Sequence, residues 1–355
     1  MATGGGATPR IIIDAMGGDH APDAIVDGAV LATREGHRVV LVGREAVIRG
    51  VLARHDRTVA AAIEVIDAPD EIGMDEHAAQ AVRSKRGASI NVAMRALKEG
   101  RGEAVFSAGN SGAVMASALF GLGRLEGVRR PPIAAVLPVV GGQLVICDTG
   151  ANADCTADHL VQFAHMGSRY AQRMYGIANP RVGLVSNGEE PGKGNALVLE
   201  VHPRLAASSL NFIGNVEGRD LPAGKCDVAV CDGFTGNVIL KLAEGMASFC
   251  FGIVKQVATS RFHYRLAGAV LRPGLKAATA TLDYTEHGGA PLLGVAGNVF
   301  IGHGSSNARA VASAVRMATR AARANLLPEI QDAVRASLVE REGGPGTAST
   351  VPATG

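Results

Sequence analysis

Short, almost wholly apolar runs alternate along the chain with amphipathic stretches of helical length. Residues 10–14 (RIIID), 38–42 (RVVLV) and a run near 62–66 read as strands. Helical patterns over 22–35, with Pro22 at the start, and near 44–55 separate them. Strands without polar alternation are buried on both faces, and βαβα order predicts a mostly parallel sheet with helices on either side. Further strands are expected at 103–107, 143–147, 182–186, 227–231 and 298–302. Each runs into a loop rich in glycine, asparagine, serine or aspartate. In one parallel sheet such loops leave the same edge, so all five are expected at one crevice. The pattern predicts a single α/β domain over 10–341, after a flexible leader (1–9) and before a disordered tail (342–355).

One stretch departs from this rhythm. Residues 245–282 contain no acidic residue, and Lys255, Arg261, Arg265, Arg272 and Lys276 interleave with apolar positions. This predicts a basic amphipathic helical segment, broken near Pro273-Gly274, with three readings: a helical pair packed on a partner subunit, a solvated basic face, or a surface lying on an anionic membrane; subunit contact together with membrane touching is the favoured one. Phe262, Arg265, Leu266 and Leu271 are its candidate contact residues.

Composition narrows the class. Hydrophobic residues make up 47% and charged ones 19%, a well-buried globule. Tryptophan is absent and aromatics are 4%, which argues against nucleic-acid binding by base stacking. A net charge of +2 implies no strong polyanionic partner for the molecule as a whole. Cys147, Cys155, Cys226, Cys231 and Cys250 lack zinc-ribbon spacing and read as reduced cytosolic thiols. No signal peptide is visible, and no uncharged apolar run reaches the roughly 18 residues of a membrane span.

The loops carry the candidate chemistry. Residues 181–195 join a buried strand to a polar loop with Lys193, which on spacing alone is either suited to holding a phosphate or a solvated turn lysine. It is not a nucleotide P-loop: only Glu189, Glu190 and Pro191 separate Gly188 from Gly192-Lys193, and Gly194 follows. The AMGGDH loop after the first strand lacks the dinucleotide fingerprint. Its Gly17 and Gly18 suit a tight turn, and Asp14 and Asp19 either cap the next helix or meet substrate. Ser107, Gly109, Asn110 and Ser111 form an anion seat at a helix start, or an ordinary cap. Gly304, Ser305 and Ser306 repeat that arrangement. Asn152, Asn195 and Asp232 lie in the remaining strand-end loops, and Asn237 closes DGFTGN as a cap or an oxyanion donor. The histidines show no metal spacing; His159 and His165 read as structural, and His20, His77 and His303 as weak acid–base candidates. Cys155 is a remote candidate for attack on a thioester.

Together the stretches IIIDAMGGDHAP, FSAGNSGA, DTGANADC, NPRVGLVSNGEEPGKGN, VAVCDGFTGNVILK and IGHGSSNARA, spread from residue 11 to about 320, closely resemble the bacterial phosphate acyltransferase family (PlsX-type, acyl-ACP:phosphate acyltransferases). The resemblance implies a Rossmann-like three-layer α/β/α sandwich with a helical projection, and transfer of a long fatty acyl group from acyl carrier protein to inorganic phosphate. The acyl phosphate would feed a membrane-bound glycerol-3-phosphate acyltransferase in phospholipid synthesis. It also implies a homodimer, cytoplasmic and peripherally associated with the inner face of the membrane, needing no cofactor or metal. On the family's pattern the catalytic residues fall on Lys193 and Asn237. Asp14, Gly17, Gly18, Ser107, Gly109, Asn110, Ser111, Asn152, Asn195, Asp232, Gly304, Ser305 and Ser306 are the phosphate- or substrate-binding candidates. Two departures are local: Pro191-Gly192 in the lysine loop, and His77-Ala78 where the family tends to place a proline.

Overall fold

A computed structural model describes residues 8–280 and 288–343; the start of the leader, the end of the basic segment and the tail lie outside these residues. β1 (Arg10–Asp14) leads into α1 (Asp23–Arg34), β2 (Arg38–Gly43), α2 (Glu45–Leu52), α3 (Arg57–Ala61) and β3 (Glu64–Asp67). α4 (Ala78–Ser84) and α5 (Ser89–Lys98) precede β4 (Ala104–Ser107), α6 (Ser111–Gly121), β5 (Ala134–Val139) and β6 (Gly142–Cys147). Next come α7 (Ala157–Tyr175), β7 (Val182–Val185), α8 (Ala196–Ala206), β8 (Phe212–Val216) and β9 (Val228–Val230). Two long helices follow, α9 (Gly233–Ser260) and α10 (Phe262–Ala280), then β10 (Ala290–Pro291), β11 (Asn298–Ile301), α11 (Ala308–Arg323) and α12 (Leu326–Gly343).

The α/β class and the mostly parallel pairing are as the pattern predicts. The strands, however, divide between two sheets. One has the order β10-β11-β4-β1-β2-β3, the other β5-β6-β9-β7-β8. Only the edge strands β10 and β5 run antiparallel to their neighbours. Both went unread in the sequence: β10 is two residues long, and β5 carries Pro138. The sheets are joined at these edges, where Ile133 bridges to Leu292 and Arg124 to Val295.

Burial on both faces explains the apolar runs. Ile11 and Ile13 enter the cluster beneath α1 and α11, while Ile12 enters the opposite cluster with α5 and α6. In the second sheet Val145 and Cys147 face α7, and Leu144 and Ile146 face a small cluster with Leu221 and Cys226. The first of these clusters is continuous across both sheets, from Leu41 of β2 to Leu184 of β7. The two sheets therefore share one core.

The projection begins at the C-terminal edge of β9. Only Gly233 and Gly236 of α9 are buried, and Phe234, Val238, Leu242, Met246, Phe249 and Ile253 expose much of their surface. By length and composition α9 is long and apolar enough to cross a membrane, although it carries Lys241, Glu244 and Lys255. The helical pair breaks at Arg261, which is extended (φ −135°, ψ 154°). The expected break near Pro273-Gly274 is absent; α10 runs through both residues.

At the opposite edge of the second sheet, Arg181 pins the starts of β7 and β9. Its backbone N–H and Nε donate to Asp227 Oδ2 at 2.8 and 3.0 Å, and Nη2 donates to Oδ1 at 2.9 Å. Burial pushes the Asp227 carboxyl up, but the hydrogen bonds and charge of Arg181 outweigh it and leave it below its ordinary 3.8. A lowered folded pKa stabilises wherever the unfolded carboxylate is ionised, and that contribution is lost as pH falls through the folded value. Urea unfolding over a pH series is expected to give wild type a margin over Asp227→Asn that is full above the ordinary aspartate range and disappears in acid. A margin unchanged by acid would contradict the pairing.

Candidate active site

Three loops leave the C-terminal edge of the first sheet, after β1, β4 and β11, and press together through glycine. A Cβ on Gly17 would lie 2.7 Å from Asp14 Oδ2 and 2.8 Å from Gly109 N, so no side chain fits. Gly18 (φ +114°) lies against the Gly304 carbonyl, which accepts from Asp19 N at 2.8 Å. Asp14 is buried and accepts from Ser107 Oγ at 2.7 Å and Met16 N at 3.2 Å. Burial pushes its carboxyl up, against the lowering pull of the Ser89 and Ser107 hydroxyls. Neither Asp14 nor Asp19 caps α1, whose N-cap is Pro22 with no side-chain hydrogen bond. A narrow cavity between these loops is lined by Asp14, Gly17, Ser89, Ser107, Gly109 and Asn110.

Asn110 caps α6 through Ala113 N and also donates to the Met74 and Glu76 carbonyls at 3.0 and 3.2 Å. It thereby ties the 71–77 loop to the site. Ser111 opens α6 and is exposed. Ser305 Oγ lies 2.7 Å from His303 Nδ1, and buried Ser306 donates to the His303 carbonyl at 2.5 Å.

The second sheet contributes the loops after β6, β7 and β9. Asp148 is buried and accepts from five N–H groups at 2.8 to 3.2 Å: Ile133, Gly150, Ala151 and Asn152 backbone, and Asn152 Nδ2. Asn152 Nδ2 also donates to the Pro131 carbonyl at 2.9 Å, so its amide serves the loop itself. Gly233 N donates to Asn152 O at 2.7 Å, and a Cβ on Gly236 would sit 1.8 Å from Asp148 O. Backbone meets backbone there. Asp232 caps α9 through Thr235 N, and Asn195 caps α8 through Val198 N.

Two polar groups are left over. Asn237, in the first turn of α9, is exposed beside the 148–152 turn; a Cβ on Gly150 would lie 3.8 Å from its Oδ1. Lys193 is exposed, and among the described residues its ammonium has no hydrogen-bond or ion-pair partner. Its loop follows β7 and Asn237 follows β9, and β7 and β9 are adjacent parallel strands. Both groups therefore leave the same edge of one sheet.

The expected convergence of five loops on one sheet edge is corrected to a meeting of two edges. Its visible link is Lys241, one helical turn past Asn237, whose Nζ lies 3.5 Å from His303 Nε2 of the first sheet and 2.9 Å from Glu244 Oε2. Lys241 was not singled out from sequence, although its i+4 spacing from Asn237 is legible there. Burial and the nearby Asp148 charge push the Cys155 thiol up to about 12, which speaks against its reading as a nucleophile. His159 closes the capping box of α7, and buried His165 pairs with Glu340 at 3.0 Å; both are structural. The carboxylates of Glu189, Glu217 and Asp220 cluster, but Arg219 and Lys225 already pair with them.

Comparison with known proteins agrees with this architecture. The family model described as "Fatty acid synthesis protein" matches residues 9–328. Phosphate acyltransferase of Pelotomaculum thermopropionicum is 46% identical over 336 residues, covering 94% of this chain and 98% of that one. The Nostoc punctiforme phosphate acyltransferase is 48% identical over 344 residues, covering 96% and 100%. Among solved structures, a phosphotransacetylase from Streptococcus pyogenes superposes with a TM-score of 0.59 at 15% identity, covering 90% of this chain and 94% of its own. A 4-hydroxythreonine-4-phosphate dehydrogenase from Klebsiella pneumoniae gives 0.53 at 16% identity, covering 89% and 100%. These two likenesses bear on fold alone. The extent and identity of the sequence matches show that this chain belongs to the phosphate acyltransferase family of enzymes.

Proposed function

We propose that the enzyme transfers a long-chain fatty acyl group from acyl carrier protein to inorganic phosphate, making acyl phosphate for phospholipid synthesis. The observation that carries this is a pair of groups, the Lys193 ammonium and the Asn237 amide, that have no partner among the described residues and stand at the ends of adjacent strands. Phosphate is already a competent nucleophile near neutral pH and needs positioning more than activation. Lys193 supplies the charge that holds it, beside the glycine- and serine-lined loops after β4 and β11. A phosphate oxygen attacks the thioester carbonyl, the carbon–oxygen bond forms and negative charge moves to the carbonyl oxygen. Asn237 Nδ2 donates to that oxyanion. The carbon–sulfur bond then breaks and the pantetheine thiolate leaves. The chain's own residues bind and orient throughout, and no acyl-enzyme is formed.

The projection favours a long-chain substrate over a small-acyl phosphotransacetylase using coenzyme A. Large apolar side chains stand exposed along it, Phe234, Leu242, Phe249 and Phe262 among them, as on a surface that meets a partner or a membrane. A second copy of the chain covers part of it, and the tip, with Phe262 and Leu266 exposed and Arg265 beside them, touches the anionic inner face of the cell membrane. That contact places the product near a membrane-bound glycerol-3-phosphate acyltransferase. The acidic carrier protein is matched by exposed Arg83, Arg86 and Arg95, which have no carboxylate partner among the described residues; Arg83 lies 4.9 Å over the ring of Phe120. Lys85 and Arg101, nearby in sequence, are already paired, with Glu76 and Glu64.

Lys193→Ala is expected to fold normally and lose most acyl-phosphate formation, and Asn237→Ala to lower kcat by about 100- to 1000-fold. Near wild-type turnover by Lys193→Ala would sink the assignment. For the tip, Phe262→Glu with Leu266→Glu is expected to abolish sedimentation with anionic vesicles while leaving turnover on soluble substrate intact. Vesicle binding that survives both changes would move the membrane contact elsewhere.

A further inference from the structure

The lysine loop does not hang freely from β7, and what holds it lies in the neighbouring strand. β8 carries one extra residue relative to β7: Val182 pairs with Phe212, but Gly183 pairs with Gly214. Gly214 has φ +95°, the left-handed conformation such a bulge requires. A one-residue slip turns every later side chain to the other face. The clusters record that turn. Phe212 packs on the α7–α8 side of the sheet, yet Val216, four residues on, packs on the opposite side with Leu144 and Ile146. Without the bulge the two would share a face. Asn215 is thereby turned toward α8, under the loop that leads into it.

Asn215 is 3% exposed. Its Nδ2 donates to the Glu190 carbonyl at 2.9 Å and to the Lys193 carbonyl at 3.4 Å. These carbonyls mark the two ends of a turn that Lys193 N closes by donating to Glu190 O at 3.0 Å. One buried amide therefore grips both ends of the turn that presents the lysine. The two carbonyl partners also fix which side of the amide is nitrogen. Among the described residues Asn215 Oδ1 is buried without a hydrogen-bond partner, as is Ser186 Oγ, so this polar group is retained beneath the loop although it is only half satisfied. The stem of Lys193 is set from the other side: a Cβ on Gly188 would lie 2.7 Å from Lys193 Cγ.

We infer that Asn215 is the positioning residue of Lys193: aimed by the β8 bulge, it holds the turn at 190–193 so that the ammonium meets phosphate without reorganising. This rests on Lys193 acting as proposed above. A bulge beside an active site is a usual means of re-aiming one side chain, and small misplacements of a catalytic group are costly in rate.

The test is a double-mutant cycle on acyl-phosphate formation. Asn215→Leu is expected to lower kcat by about ten- to a hundredfold, with KM for acyl carrier protein and the thermal midpoint little changed. In a Lys193→Ala background the same substitution is expected to cost nothing further, because its effect passes through the lysine. If Asn215→Leu does not fold, Asn215→Asp, which keeps the shape and removes both N–H donors, replaces it in the cycle. Wild-type kcat in the Asn215 variant, or an equal loss in both backgrounds, would overturn the positioning role while leaving Lys193 in place. Wild-type turnover by Lys193→Ala would overturn both.

Discussion

No side chain fits between the first turn of α9 and the turn that follows β6. A single added carbon at Gly236 would overlap the Asp148 carbonyl at 1.8 Å, and Gly233 bonds directly to Asn152. Much else follows from this contact. It fixes where α9 leaves the sheet, and so the height at which Asn237 stands over Gly150. It also fixes the root of the exposed arm, because α9 runs uninterrupted from this turn to Ser260. Asp148 gathers four N–H groups of the same turn and the Ile133 N–H from beside β5, so the turn under Asn237 is held by its own backbone. Placement of this kind spares the reaction the reorganisation that water would demand.

The remaining groups divide into those that build the site and those left free to act. Ser107, Asn110, Asn152, Asn195 and Asp232 all satisfy buried or terminal backbone groups. Glycines 17, 18 and 109 let the three loops of the first sheet close on one another. Against that framework Lys193 and Asn237 stand out because their polar ends have no partner among the described residues. Holding a cation and an amide donor ready, with their supports buried, is how a site stabilises charge that appears only during reaction.

Much of this was legible in the residues. The unbroken apolar runs reported strands buried on both faces, and their parallel order followed. Asn110 read as an anion seat or a helix cap, and it caps α6; Asn195 and Asp232, read as substrate-binding candidates, cap α8 and α9 as well. Two kinds of feature were hidden. The division into two sheets depends on β5 and β10, and a proline-bearing edge strand and a two-residue strand leave little periodic signal. The grip of Asn215 on the lysine loop depends on a bulge, which shifts the period by one residue and disguises β8 as a loop. For Asp14 the cap was one of two readings; the strand end carries it inward instead, where Ser107 Oγ and Met16 N donate to it. The break in the arm was placed at proline and glycine by local propensity, whereas the chain turns at Arg261 and the helix absorbs Pro273.

The central claim is that the two sheet edges bring free phosphate to a carrier-bound thioester. It is tested most directly by following release of carrier-protein thiol from a long-chain acyl carrier protein with and without inorganic phosphate, and with acetyl-coenzyme A as the competing donor. The account predicts thiol release that depends on phosphate and is strong with the acyl carrier protein and weak with acetyl-coenzyme A. Release that ignores phosphate, or that favours acetyl-coenzyme A, would contradict it.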